Sequence, residues 1–326
     1  MKKFLSRIGN IFLGIFPCFL ATKLRLCLHI LTGSWQIPPA FPFSQAFANK
    51  IPENWQDIFS GTDQKSISEI AEFFRRMETD RLFWSDDKKL RVIAKADFIY
   101  SNSIFPPLTD ELLKKQRELH LAGGFESLIA HHGAAFFPEK IKKSFSDKGI
   151  VDAGAFIGSY TISCVKEYNP SVVFSIEPNA KSIRKLKENL TANGISKDKV
   201  EIFNCAVGAE NKDISFDDSG IRMDVPGDCR VGLTTLDDLL FEKNHPIGLI
   251  KADIEGMGAE MLAGAVKIIK RDHPVLALSS YHSPEELFGQ YTFLKDNFPF
   301  YRLSFTALPP GSGWELTLLA VPEELL

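Results

Sequence analysis

Cysteine is scarce in this chain and does not occur in pairs. The five cysteines among 326 residues are scattered, and no CxxC pair is present. An odd number without paired spacing disfavours a disulfide framework, and no zinc-ligand spacing is recognisable. No histidine has two further ligands at a fitting spacing, so no metal site is predicted. A reducing, cytoplasmic compartment is the simplest expectation.

Acidic residues are missing from the first 52 residues, which carry six basic side chains. Because the net charge of the whole chain is −3, the remainder carries −9. An acidic body disfavours general nucleic-acid binding, since neutralising phosphates requires a basic face. Nucleic acid is therefore not expected among the partners.

A hydrophobic run long enough to span a bilayer is also missing near the N-terminus. Residues 8–22 are uncharged, but these fifteen residues fall short of the roughly 18–20 required, and glycine and proline interrupt them. Their apolar side chains recur at helical spacing. Residues 1–32 are consistent with a helix on an anionic membrane surface, a helix packed on the body or on another copy, or a removed signal. Peripheral membrane contact and oligomeric state both stay open.

The chain divides into two parts with different patterns. Residues 35–43 contain three prolines, no charge and no periodicity, which is typical of a linker. Helical periodicity follows at 66–83, where Glu69 is expected to face water, and at 86–99 and 109–122. We therefore predict an α-helical N-terminal extension over residues 1–125 and a second domain over 126–326.

From about residue 149, short apolar strands alternate with amphipathic helices. This alternation predicts a mostly parallel sheet covered on both faces. Strands are predicted at 150–152, 172–176, 200–207, 249–253, 274–280, 301–305 and 315–321, and a hairpin or loop at 213–230. Helices are predicted at 159–168, 180–193 and 259–270, and another begins at the capping box Ser283-Pro-Glu-Glu286.

Four groups of polar or glycine residues follow predicted strands. Ligands of open parallel sheets bind outside the carboxyl ends of the strands, where the strand order reverses. The groups are Asp152 with Gly154 and Gly158, then Glu177, then Asp253 with Glu255, and finally Tyr281 with His282.

The glycine turn after the first strand differs from the dinucleotide fingerprint. That fingerprint requires glycines at positions one, three and six, and Phe156 occupies the third position here. Glu177 lies 23 residues after Gly154, about the distance at which an acid meets ribose hydroxyls. The glycine turn and Glu177 together favour a nucleoside ligand without phosphates, such as S-adenosylmethionine. An ordinary tight turn with an edge glutamate is the alternative.

Six motifs follow one another in the second part of the chain. They are Asp152-Ala-Gly-Ala-Phe-Ile-Gly-Ser-Tyr160, Ser175-Ile-Glu-Pro-Asn179, Asn204-Cys-Ala-Val-Gly208, Thr234-Thr-Leu-Asp-Asp238, Ile250-Lys-Ala-Asp-Ile-Glu-Gly256 and Tyr281-His-Ser-Pro-Glu-Glu-Leu-Phe288. In this order they resemble the motifs of the FkbM-type methyltransferases, and the resemblance covers about residues 125–322. It implies a class I methyltransferase (Rossmann-like) α/β fold, a seven-stranded sheet with its last strand antiparallel, S-adenosylmethionine as cofactor and, usually, a hydroxyl acceptor.

The resemblance assigns a cofactor site to residues from these motifs. One departure is visible, because the family commonly has a second glutamate where this chain has Gly258. The expected cofactor-binding residues are Asp152, Gly154, Ala155, Phe156, Gly158, Ser159, Tyr160, Glu177, Pro178, Asn179, Ala206, Val207 and Asp253.

Transfer of a methyl group to a hydroxyl also needs a group that takes the proton. His282 and Asp253 are the catalytic candidates, although a packing histidine and a structural strand-end acid are the alternatives. Weaker candidates for substrate contact are His131, His132, Glu255 and Tyr281.

The sequence as a whole predicts a methyltransferase acting on a small-molecule or glycan hydroxyl. Two other functions remain open: a nicotinamide-dependent dehydrogenase on a related fold, and a non-catalytic binding module of a glycan assembly. Phe156 in the glycine turn disfavours the dehydrogenase.

Overall fold

A computed structural model describes residues 50–83, 139–216, 229–243, 245–306 and 316–326. The strands are β1 (Gly149–Ala153), β2 (Val172–Ile176), β3 (Val200–Phe203), β4 (Ala206–Val207), β5 (Lys212–Phe216), β6 (Cys229–Thr234), β7 (Ile247–Ala252), β8 (Val275–Ser279), β9 (Tyr301–Thr306) and β10 (Thr317–Pro322). The helices are α1 (Trp55–Ile58), α2 (Gln64–Phe83), α3 (Glu139–Lys143), α4 (Ser159–Tyr168), α5 (Ala180–Ala192), α6 (Leu236–Leu240), α7 (Gly258–Ala263), α8 (Val266–Asp272) and α9 (Pro284–Asn297).

Seven strands form the central sheet in the order β3-β2-β1-β7-β8-β10-β9. β10 is antiparallel to both of its neighbours, while the pairs β1–β2, β2–β3, β1–β7 and β7–β8 are parallel. The central strands are buried throughout, as expected for a parallel sheet covered on both faces. The predicted class I methyltransferase sheet, with its last strand antiparallel, is confirmed.

Two hydrophobic clusters cover the two faces of this sheet. Alternating side chains of β1 contribute to both: Val151 packs in one cluster and Ile150 in the other. The first cluster includes side chains from α2, α6, α7, α8 and α9. The second includes side chains from α3, α4 and α5. The described part of the chain is therefore a three-layer α/β/α arrangement.

The predicted third strand, 200–207, is wrong in its second half. β3 ends at Phe203, and β4 pairs instead with β6 in a separate three-stranded sheet of order β4-β6-β5. The change of direction falls at Asn204, whose side-chain amide donates to the carbonyls of Glu177 and Pro178. The antiparallel β5–β6 pair confirms a hairpin in the region predicted as hairpin or loop.

The single helix predicted at 259–270 is also wrong, because two helices, α7 and α8, occupy this region. Gly264 ends α7 and packs so closely on Gly208 that a Cβ would collide with the Gly208 carbonyl oxygen. The Asp237 carboxylate then accepts the backbone N–H groups of Lys267 and Ile268, both at 2.9 Å, in the first turn of α8. Capping by a distant carboxylate is invisible to local periodicity.

The described part of the N-terminal extension packs into the core of the second domain. α2 confirms the helix predicted at 66–83, but Glu69 is buried and does not face water as expected. The buried face is wider than the apolar stripe because α2 lies against β9, where Ser66 Oγ accepts the N–H of Phe305 at 2.8 Å. Phe59 joins this contact, with its ring centroid 5.2 Å from that of Phe305.

Several predictions fall on residues outside the described ranges. These are the segment 1–32, the linker at 35–43, the helices at 86–99 and 109–122, and the domain boundary at 125/126. Within the described ranges, no helix combines the length and the hydropathy needed to cross a membrane.

Candidate functional site

The loops after β1, β2, β7 and β8 meet at one edge of the sheet. β1 lies between β2 and β7, so the strand order reverses there. Backbone hydrogen bonds join the loops: the Gly154 N–H donates to the Ile176 carbonyl, and the Asp253 N–H donates to the Ala153 carbonyl, both at 3.0 Å. This is the position at which open α/β sheets bind ligands.

The glycine turn after β1 has an unusual backbone. Gly154, Phe156 and Gly158 have φ values of 74°, 48° and 89°. At Gly154 a Cβ would collide with the Asp253 carbonyl oxygen, so only glycine fits there. Phe156 adopts a left-handed conformation that costs a non-glycine residue free energy, and the residue is 57% exposed. The turn therefore presents an aromatic ring to solvent at the rim of the site.

Glu177, at the end of β2, is bonded to the glycine turn. Its Oε2 accepts the N–H of Phe156 and its Oε1 accepts the N–H of Asn179, both at 2.8 Å. Burial raises the pKa of Glu177 although these two hydrogen bonds oppose the shift. Each carboxylate oxygen can accept more than one hydrogen bond, so Glu177 can also receive a ligand hydroxyl.

Asp152 lies beneath the turn and is fully buried. Its side chain is 0% exposed, with Oδ1 2.9 Å from Lys251 Nζ and Oδ2 accepting from Thr161 Oγ1 at 2.6 Å. The structure thus makes Asp152 an internal ion-pair partner, whereas the sequence predicted a direct cofactor contact.

Lys251 was not predicted as a site residue. Its side chain is 3% exposed, and its ammonium also donates to the carbonyls of Gly154 at 2.9 Å and Ala153 at 3.3 Å. Burial opposes the charge, but the carboxylates of Asp152 and Asp253 outweigh it and raise the pKa of Lys251. The sequence signal that could have identified Lys251 is its place inside an apolar strand, because buried lysines are almost always paired.

Most of the other predicted cofactor residues are buried. Ser159 and Tyr160 are buried in α4, and the Tyr160 ring faces Lys251, whose Nζ is 5.5 Å from the ring centroid. Ala206 and Val207 are buried in β4. Asn179 caps α5 by accepting the N–H groups of two residues in its first turn, and it follows Pro178 in the loop after β2. Ala155, in the glycine turn itself, is buried and donates its N–H to the Ile176 carbonyl.

A second group of titratable side chains gathers after β7 and β8, on the other side of the turn. The Nδ1 of His282 lies 2.8 Å from Oε2 of Glu286, and its Nε2 lies 3.3 Å from Asp253 Oδ1 and 3.6 Å from Glu255 Oε2. Tyr281 donates its hydroxyl to Asp253 Oδ1 at 3.2 Å. The structure therefore brings together the two catalytic candidates with Glu255 and Tyr281, and adds Glu286.

The carboxylates around His282 favour its charged form. Burial of the ring opposes protonation, but the carboxylates of Glu286 and Asp253 outweigh it and raise the pKa of His282 well above its usual value. The imidazolium balances part of the negative charge of its neighbours. It can accept a proton from a substrate only after it has released the one it carries.

The Gly258 departure has a packing explanation. A Cβ at this position would collide with the side-chain amide of Gln290. Gln290 is buried, donates to the Ser279 carbonyl at 3.0 Å and accepts from Ser280 Oγ. In this chain Gln290 therefore fills the space that a larger residue at 258 would need.

Two predicted residues, His131 and His132, lie outside the described residues. Among the residues that the structure does describe, no group of three or more His, Cys, Asp or Glu side chains could hold a metal ion.

Comparison with known families adds one finding about the sequence. Residues 152–305 match the model of a family described as the methyltransferase FkbM domain. The match runs from the end of β1 to β9 and includes every loop of the site edge described above. The resemblance noted from the motifs is thereby confirmed. A search of curated proteins gives no significant match.

Solved structures of methyltransferases resemble this chain at low sequence identity. The crystal structure of an FkbM methyltransferase from Methylobacillus flagellatus KT matches with a TM-score of 0.53 and 18% identity, over 85% of this chain and 57% of that one. This chain thus spans less than two thirds of that protein. An rRNA methylase from Streptococcus thermophilus (TM-score 0.38, 16% identity, 56% of this chain and 93% of that one) is more distant. A precorrin-6y C5,15-methyltransferase from Geobacter metallireducens GS-15 is also more distant, with a TM-score of 0.37 and 13% identity over 56% of this chain and 85% of that one.

Proposed function

Because residues 152–305 match the model of the methyltransferase FkbM domain, we propose that the chain is an S-adenosylmethionine-dependent enzyme that methylates a hydroxyl group. The observation that carries the proposal is the meeting of the glycine turn, the Glu177 carboxylate and the Asp253–His282 pair at one sheet edge. A sugar, a glycan or a lipid-linked precursor is the acceptor class we propose, on family resemblance.

The residues of this edge fit the proposed cofactor. Glu177 offers carboxylate oxygens for ribose hydroxyls, next to an exposed aromatic ring at Phe156. The turn has Phe156 where close approach of a pyrophosphate would need glycine, which favours a nucleoside without phosphates. The acidic residues Asp253 and Glu255 suit a ligand that carries positive charge.

When bound, S-adenosylmethionine supplies a methyl group that is already activated by its sulfonium. The chain's own residues then have to orient the acceptor hydroxyl and take its proton. Asp253 and His282 are the groups we propose for this proton, because they lie 3.3 Å apart at the ends of adjacent strands. Glu286 fixes the His282 ring by bonding to Nδ1, so that Nε2 is the ring atom directed towards Asp253.

Cofactor binding is tested first on the purified full chain. We expect S-adenosylhomocysteine to raise the melting temperature and to bind in calorimetric titration, and NAD to do neither. Stabilisation by NAD alone would instead favour a dehydrogenase.

Catalysis is tested by transfer of a labelled methyl group to glycan and lipid fractions of a cell extract. We expect transfer by the wild-type chain and loss of transfer in His282→Ala, with S-adenosylhomocysteine binding retained in that variant. Binding without transfer to any fraction would support a non-catalytic binding module. Full activity of His282→Ala would remove this residue from the proton-accepting role.

A further inference from the structure

The ammonium of Lys251 has three donors, and three acceptors of the glycine turn region surround it. These acceptors are Asp152 Oδ1 and the carbonyl oxygens of Ala153 and Gly154, at 2.9, 3.3 and 2.9 Å. All three belong to the end of β1 and the first residue of the turn, whereas Lys251 belongs to β7. Lys251 thus ties the turn to the neighbouring strand.

The turn is restrained from two opposite sides. Lys251 bonds to carbonyl oxygens on the inner side, and Glu177 bonds to the Phe156 N–H on the rim side. Between these two contacts the backbone passes through positive φ at Gly154 and Phe156. A backbone conformation that is unfavourable for a non-glycine residue persists only where surrounding contacts hold it in place.

Asp152 acts on the turn through Lys251. A buried ammonium without a partner would be strongly disfavoured, and Asp152 supplies the opposite charge. Asp152 is in turn bonded to Thr161, whose hydroxyl contacts Ser175 Oγ at 2.8 Å. This polar network connects β7, β1, α4 and β2 beneath the rim.

We propose that Lys251 is a positioning residue for the cofactor site, and that it holds the glycine turn in the conformation that receives the ligand. This inference rests on the proposed function. It also changes the role predicted for Asp152, from direct ligand contact to charge partner of Lys251.

The test is a graded series that removes donors from the turn. Asp152→Asn removes the opposite charge but leaves the lysine, which still has two donors for the two carbonyls if it loses its proton. D152N/K251Q retains at most two donors on a shorter side chain, D152N/K251M retains none, and neither double variant leaves a charge in the buried pair. Lys243→Met, an exposed lysine paired with Glu201, is the matched control. Each variant is titrated with S-adenosylhomocysteine well below its melting temperature, and hydrogen exchange of residues 154–158 is measured without ligand.

We expect the dissociation constant to rise along the series, reaching about ten- to hundredfold in D152N/K251M, as for lost hydrogen bonds to a charged group. Exchange in the turn should accelerate in the same order, while the control changes neither. A loss of affinity in Asp152→Asn as large as in D152N/K251M, with exchange in the turn unchanged in both variants, would make Asp152 the direct contact and overturn the proposal. Unchanged affinity and exchange in either lysine variant would also overturn it.

The two readouts separate this inference from the proposed function. If the wild-type chain does not bind S-adenosylhomocysteine, the proposed function fails. The hydrogen-exchange series still decides in that case whether Lys251 holds the turn.

Discussion

One carboxylate oxygen of Glu286 contacts two nitrogens of His282. Oε2 of Glu286 lies 2.8 Å from the ring Nδ1 and 3.2 Å from the backbone N–H of His282. Glu286 also belongs to the capping box of α9, where its own N–H donates to Ser283 Oγ. Glu286 therefore takes part in the start of α9 and also determines the position of the His282 ring and favours its charge.

We predict that Glu286→Gln lowers the pKa of His282, because it removes the carboxylate that contributes most to keeping the ring protonated. An NMR titration of the ring in both chains measures this pKa directly. Glu285→Gln, at an exposed neighbouring position, serves as the control. If the pKa were the same in Glu286→Gln and the wild type, our account of the charge would be wrong.

The same pKa has a consequence for stability. A group whose pKa is raised on folding stabilises the folded state fully below its unfolded value, about 6.5 for histidine. We predict that the contribution of protonated His282 to the free energy of unfolding declines as the pH rises above this value and through the higher pKa of the folded state. Denaturant unfolding of the wild type and His282→Gln at several pH values measures it. The opposite slope would contradict the prediction.

Glu177→Gln should weaken binding of S-adenosylhomocysteine by about 1.5–3 kcal/mol, since a charged acceptor is lost at the rim and from the Phe156 N–H. Calorimetric titration measures the change. Glu188→Gln, an exposed glutamate on α5, is the control and should bind as the wild type does. Unchanged affinity in Glu177→Gln would remove this residue from the proposed site.

Phe156→Asn should stabilise the ligand-free chain by about 1 kcal/mol, because asparagine tolerates the left-handed conformation better than phenylalanine. The exposed ring buries little apolar surface that the substitution would lose. If the ring contacts the ligand, the same variant should bind S-adenosylhomocysteine more weakly. Thermal unfolding and titration of one preparation test both effects, and lower stability would contradict the argument.

Ser66→Ala should destabilise the chain by about 1–3 kcal/mol, because the buried N–H of Phe305 would lose its acceptor. Ser68→Ala on the same helix is the matched control, since the Ser68 hydroxyl bonds only locally to the Gln64 carbonyl and is not buried. Urea unfolding of both variants gives the comparison. Equal effects would show that the contact to β9 is unimportant.

The sequence predicted the sheet and the site edge well because these depend on local patterns. Apolar runs of β1, β2, β7 and β8 are followed directly by the residues that meet at the edge, as Asp253 and His282 do. The start of α9 was likewise predictable, since Ser283 and Glu286 form a capping box in four consecutive residues.

Contacts between distant residues could not be predicted in the same way. Asp152 was expected to face the ligand because of its place at the end of a strand, but its partner Lys251 lies 99 positions further along. The break between α7 and α8 depends on Asp237, thirty residues before the N–H group it caps. Neither pairing leaves a periodic signal, although a lysine within the apolar strand β7 is itself a sign that a buried partner exists.

The contact between α2 and β9 affects how this sheet ends. β9 is the last strand on its side, and the outward N–H of Phe305 is bonded to Ser66. An open strand edge is a template on which another chain can add a strand, and proteins commonly cover such edges with a helix. A fragment that began between residues 83 and 139 would lack α2, so this edge would be uncovered. The Phe305 ring would also lose its contact with Phe59. We expect such a fragment to be prone to edge-to-edge self-association, because α2 covers this edge in the described part of the chain.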